Sequence, residues 1–162
     1  MNPTIWAALI GLVGTILSGL IPFLLLRKRS ARNEIYDKIT GSITNPKPDQ
    51  IIGRTFECSG IVTGMQPNVS LWLAVEAGGY VWPKENKVFI DKDNNWSVTS
   101  FEDGSSDIFS VALFVADAEA DKRIMRWLKL GRSTGNYSEL KGIPTARRIA
   151  RIDGLRLKKV TS

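Results

Sequence analysis

The chain has 162 residues, 43% of them hydrophobic and 23% charged, which excludes wholesale disorder and fits one domain with an appendage. It contains no histidine and one cysteine. His-dependent catalytic triads, His-ligated zinc sites and intrachain disulfides are therefore excluded.

The net charge of +6 is unevenly spread. Residues 27–43 sum to +3. Residues 44–121 carry five basic and twelve acidic side chains, giving −7, and residues 122–162 carry twelve basic and two acidic ones, giving +10. Such asymmetry suggests a face that meets something anionic. Phospholipid headgroups, nucleic acid, a phosphorylated ligand or the chain's own acidic middle all satisfy it.

The first expected element is a transmembrane helix within residues 1–26. Ile5 to Leu26 is a run of 22 residues without a charge. As a helix it spans about 33 Å, enough for a bilayer core. No basic stretch precedes the run and no small-residue cleavage site follows it, which argues against a cleavable signal. Arg27, Lys28, Arg29 and Arg32 follow instead. The positive-inside rule then places the N-terminus outside the inner (cell) membrane and the remainder in the cytoplasm, as a single-pass protein. Gly11, Thr15 and Gly19 recur every four residues. Small residues at that spacing allow close helix–helix approach, so a homo-oligomer formed through this helix is expected.

Residues 27–42 read as a basic juxtamembrane linker, and 43–162 as a cytosolic domain. Asn45-Pro46-Lys47-Pro48 breaks any helix entering it. From there the pattern has period two. Phe56 and Cys58 alternate with polar residues, and so do Leu71, Leu73 and Val75 with their neighbours. The run Ile108–Val115 is apolar enough for a strand covered on both faces. Val88–Ile90 and Trp96–Phe101 read as hairpin arms around Asp91–Asn95, and Asp153–Val160 as a closing strand. One helix interrupts the strands. Asp117 caps it, Ala120, Ile124, Trp127 and Leu128 form its apolar stripe, and Gly131 is expected to end it, with a loop over 131–148. About seven short strands make a β-sandwich.

Ile43-Thr44-Asn45-Pro46, Phe56–Gly60, Leu71-Trp72-Leu73, Tyr80-Val81-Trp82-Pro83, Asn95-Trp96 and Phe109–Val115 together resemble bacterial immunoglobulin-like domains of uncharacterised families. The resemblance covers residues 43–160. It implies an immunoglobulin-like β-sandwich, all-β with one short helix, behind the single transmembrane helix. The chain lacks the paired cysteines of antibody domains, and a fold of this kind does not fix a function.

Arg147, Arg148 and Arg151, with Arg156 and Lys158, form the densest basic run. Guanidinium forks suit phosphate, so a nucleotide second messenger, nucleic acid and anionic lipid are candidates, beside a plain solvated surface. Tyr80 and Trp82 lie beside the turn residues Gly78-Gly79 and Pro83, and are the aromatic residues expected outside the core. Asp91, Asp93, Asn95 and Glu102 match a calcium loop in spacing, but Trp96 stands where such a loop needs glycine, so no metal is expected. Cys58 reads as buried and inert. No cofactor and no catalytic constellation is expected.

The expectation is a membrane-anchored, non-enzymatic binding module. Its partners are the lipid bilayer and either an anionic ligand (a cyclic nucleotide or phospholipid headgroup) or a protein. The alternative is a membrane-disrupting, pore-forming effector of antiviral defence. Its plan looks like that of bacterial effectors in which a β domain senses a cyclic oligonucleotide and the helices oligomerise.

Overall fold

A computed structural model of the protein describes residues 34, 36–104 and 106–159. The membrane segment expected at Ile5–Leu26, with Gly11, Thr15 and Gly19, lies outside the described residues. Among the described residues, no helix is long and apolar enough to cross a membrane.

The compact unit Lys38–Ser162 is mostly β-strand with one helix. Its elements are β1 (Thr40–Asn45), β2 (Ile51–Ile52), β3 (Thr55–Thr63), β4 (Ser70–Ala77), β5 (Tyr80–Val88), β6 (Asn95–Phe101), β7 (Phe109–Ala116), α1 (Ala118–Thr134) and β8 (Ala146–Leu157). They form two sheets. The smaller has the order β1-β3-β6 and is antiparallel. The larger has the order β2-β8-β7-β4-β5, antiparallel except for the parallel pair β2–β8.

Alternation explains the burial. Phe56, Cys58 and Val62 of β3 turn inward while Thr55, Glu57 and Ile61 turn out. β4 and β7 are central strands of the larger sheet and are buried on both faces. One face carries Leu71, Leu73 and Val75 opposite Val115, Leu113 and Val111. The other carries Trp72, Ala74, Ala112 and Phe114, which pack under Ala120, Ile124 and Leu128 of α1. The apolar stripe of the helix therefore covers the outer face of the larger sheet. The two sheets meet along their margins. At one, Gly41 of β1 lies against Ile149 of β8. At the other, the Lys84 ammonium of β5 donates to the Phe101 carbonyl of β6 at 2.7 Å.

Four expectations change. The turn at Asp91–Asn95 forms and Ile90 bridges Trp96, but the flanking strands do not pair as a hairpin. β5 bonds to β4 and β6 bonds to β3, so the turn carries the chain from one sheet to the other. α1 does not end at Gly131. It runs to Thr134, and Gly135 supplies the left-handed cap at φ 69°. Gly131 is needed inside the helix for space, since a Cβ there would sit 2.3 Å from Cδ1 of Tyr137. The loop expected over 131–148 and the strand expected from Asp153 give way to a twelve-residue strand that already begins at Ala146. Trp127 is only half-buried. It packs at the margin of the core cluster of Ala120, Ile124 and Leu128 and leans on Tyr137, with ring centroids 5.3 Å apart.

Candidate functional site

The sequence places Arg148 and Arg151 three residues apart, a spacing that puts strand residues on opposite faces. The pairing of β8 with β7 corrects this. Leu113 opposes Ala150 and Phe114 opposes Arg148, so Ile149 is an extra residue in a bulge. Both arginines then reach the same carboxylate. Arg148 donates from Nη1 to both oxygens of Glu76, at 3.0 and 2.8 Å, and Arg151 Nη1 lies 3.1 Å from Glu76 Oε2. A second irregularity opposes Ser110 to the pair Asp153-Gly154, with Gly154 at φ 77°. This aims Asp153 at Ser110, whose hydroxyl donates to the Asp153 carboxylate at 2.7 Å. Arg151 completes the net by donating to Asp153 from Nε and to Ser110 Oγ from Nη2.

These groups line a cleft of about 700 Å³. The β4–β5 turn, Gly78-Gly79, and Tyr80 also line it, as does Lys141 from the loop after α1. The electrostatics divide the two arginines by role. Arg151 spends Nε, Nη1 and Nη2 on Asp153, Glu76 and Ser110 and is a structural strut. Arg148 uses only Nη1, so its Nε and Nη2 edge and the Lys141 ammonium have no partner among the described residues. The Ser110 hydrogen bond and the Arg151 and Arg148 charges hold the Asp153 carboxyl below the usual range. Glu76 is the half-buried anchor, with 11% of its side chain exposed.

The structure thus brings Tyr80, Arg148 and Arg151 together. Arg147, opposite Val115, does not line this cleft. Arg156 and Lys158 lie at the β2 end of the sheet, with Arg156 opposite Ile51, and are exposed. Trp82 contacts Tyr80 at 6.1 Å between centroids but turns into a second cleft. Sequence reasoning missed Glu76, Ser110 and Lys141. Glu76 is 72 positions from Arg148, and only the sheet register joins them. A charged residue closing the apolar run of β4 was the available signal.

The acidic turn has a local role. Asp91 Oδ1 accepts from the backbone N–H groups of Asp93 and Asn95, each at 2.8 Å. The Asn95 hydrogen bond is the main reason the Asp91 carboxyl is held below its usual range. Glu102 is bound elsewhere, to Lys84 at 2.7 Å. Among the described residues, no group of three His, Cys, Asp or Glu side chains could hold a metal ion. Cys58 is fully buried, and burial pushes its thiol up to about 12, which removes the thiolate as a nucleophile.

No protein-family model and no curated protein matches the chain.

Proposed function

We propose that the chain is a membrane-anchored, non-enzymatic binding module whose cleft at Tyr80, Lys141 and Arg148 takes a phosphorylated ligand. One observation carries the reading. Arg148, whose guanidinium keeps an edge without a partner among the described residues, and Lys141 line the same cleft as Tyr80. The cations suit phosphate oxygens, and the Tyr80 ring suits a base, so a nucleotide is the ligand class that uses all three groups. The uncharged run Ile5–Leu26 and the basic residues after it support the anchor.

The immunoglobulin-like reading of the fold draws support from strand order. In a variable-type immunoglobulin domain, strands A, B and E share one sheet, and G, F, C and C′ follow in order in the other. β1, β3 and β6 match the first set, and β8, β7, β4 and β5 match the second. The departures are α1, inserted between the F and G positions, and Cys58, which stands alone on the B position. Trp72 lies on the strand in the C position but packs under the helix. The non-enzymatic reading rests on the absence of histidine and on the state of Ser110. The carboxylate that accepts its hydroxyl proton, Asp153, is held below its usual range, and its cross-strand neighbour Glu76 is engaged by Arg148 and Arg151.

The test is calorimetry on the detergent-solubilised full chain against a panel of cyclic di- and oligonucleotides, with co-sedimentation on anionic vesicles. Saturable nucleotide binding that falls more than tenfold in Arg148→Glu with Lys141→Glu is the expected result. Binding to vesicles alone replaces the nucleotide with a lipid headgroup. Binding to neither refutes the cleft as an anion site and leaves a module for a protein partner.

A further inference from the structure

A second cleft, of about 660 Å³, lies along the outer edge of β5 and has a different chemistry. Three half-buried aromatic side chains wall it: Trp82 from β5, Trp127 from α1 and Tyr137 from the loop after α1. Two of them, Trp127 and Tyr137, are held in place. Trp127 Nε1 donates to the Ser138 carbonyl at 2.9 Å. The rings of Trp127 and Tyr137 meet at 55° and form a corner. Val81 N donates to the Leu140 carbonyl at 2.8 Å, which ties the loop to the strand edge. The charged groups at the cleft are Glu102, Asp103, Glu139 and one cation, Lys84. Lys84 is neutralised by Glu102, and among the described residues no ion pair engages Asp103 or Glu139. The cleft therefore combines electron-rich rings with the negative charge of Asp103 and Glu139. Ring faces and carboxylates both attract cations, and both repel the phosphates suited to the Arg148 cleft.

We propose that this aromatic cleft binds an alkylammonium group, as a free quaternary amine or as the head of a lysine side chain. The ammonium sits in the corner of Trp127 and Tyr137, with Trp82 closing the third side and Asp103 and Glu139 supplying long-range attraction. A neutral ring ligand would use the walls and gain nothing from the carboxylates. A bare metal ion would use the carboxylates and gain little from the walls.

The test titrates the detergent-solubilised full chain by calorimetry with choline and with 3,3-dimethylbutan-1-ol, its uncharged isostere. Choline is expected to bind saturably and about tenfold more tightly than the alcohol, the factor a desolvated cation–π contact supplies. Asp103→Asn with Glu139→Gln changes exposed side chains and leaves the core intact. It is expected to weaken choline severalfold and the alcohol not at all. Tyr137→Leu is expected to weaken both. Arg148→Glu is expected to leave choline binding unchanged, so this proposal and the anion cleft stand or fall separately. A lysine-containing tetrapeptide that outbinds choline assigns a protein side chain, and the reverse order assigns a free amine. Either order upholds the site. Equal binding of choline and the alcohol, no saturable choline binding, or indifference to the double carboxamide variant overturns it.

Discussion

Asp121 joins the first turn of α1 to the larger sheet, and its removal can be worked through group by group. Its Oδ1 accepts from Trp72 Nε1 at 3.0 Å and its Oδ2 from Lys87 Nζ at 2.9 Å. Trp72 is fully buried, so its indole N–H has no access to water if Asp121 is lost. Asp121→Ala leaves that donor unpaired, a loss of about 1–3 kcal/mol. The Lys87 ion pair adds little, because the lysine side chain is 37% exposed and the pair is screened. We expect a total of about 2–3 kcal/mol. Asp121→Asn keeps an acceptor for the indole and loses only the charge, at about 1 kcal/mol. Acid separates the two variants further. Burial pushes the Asp121 carboxyl up, but hydrogen bonds from Lys87, Trp72 and Ser70 outweigh it and leave the group below its usual range. A carboxyl lowered on folding stabilises above its unfolded pKa, and that contribution is lost as pH falls through the folded value. The Asn deficit should therefore vanish along the acid limb, while the Ala deficit persists. Urea unfolding followed by tryptophan fluorescence at stepped pH measures both. Equal costs for Asn and Ala, or an Asn deficit that survives in acid, would refute the assignment.

Three further outcomes follow from packing and burial. Gly131→Ala gains about 1 kcal/mol of helix propensity, yet its Cβ would meet the Tyr137 ring at 2.3 Å. A net loss of about 1 kcal/mol and an altered near-ultraviolet dichroism from the Trp127–Tyr137 pair are expected, and a rise in melting temperature would contradict this. Gly60→Ala should cost more, about 3 kcal/mol in urea unfolding, because its Cβ would fall 1.9 Å from the backbone oxygen of Ser42, which has no rotamer to yield. Cys58 should resist maleimide in mildly alkaline buffer and react only once urea unfolds the chain, since its thiol is buried and pushed up to about 12. Fast labelling of the native protein would show that β3 opens locally.

How much of this was readable from the residues depends on how local the cause was. β7 is legible because eight consecutive apolar or small residues admit only a strand covered on both faces. The start of α1 is legible because Asp117 caps the N–H groups of Glu119 and Ala120, two and three residues on. The inert Cys58 is legible from alternation with Phe56. β2 is not, since two residues carry no period. The start of β8 is hidden by its bulge. Inserting Ile149 breaks the alternation that would have marked Ala146 onward as a strand and Arg148 with Arg151 as neighbours. The end of α1 was misplaced because Gly131 signals a cap locally but serves a distant ring, that of Tyr137. For the cleft, composition pointed to Tyr80, Arg148 and Arg151. Their counter-charges were invisible, because Glu76 meets them through the pairing of β4 and β8 with β7, and Lys141 through the path of a loop.

The short parallel pair β2–β8 has a mechanical consequence. The two strands run the same way, and the chain enters before β2 and leaves after β8. A pull that separates the termini therefore slides one strand along the other. It loads the Asp49–Asp153, Arg156–Gln50 and Lys158–Ile52 backbone hydrogen bonds together and does not peel them in turn. β1 is antiparallel to β3, yet it lies upstream of this clasp on the same strained path. A tug from the N-terminal side is thus borne in shear by a few bonds beside the most buried strand of the sheet. The domain is built to hold its shape when hauled on from its N-terminal side.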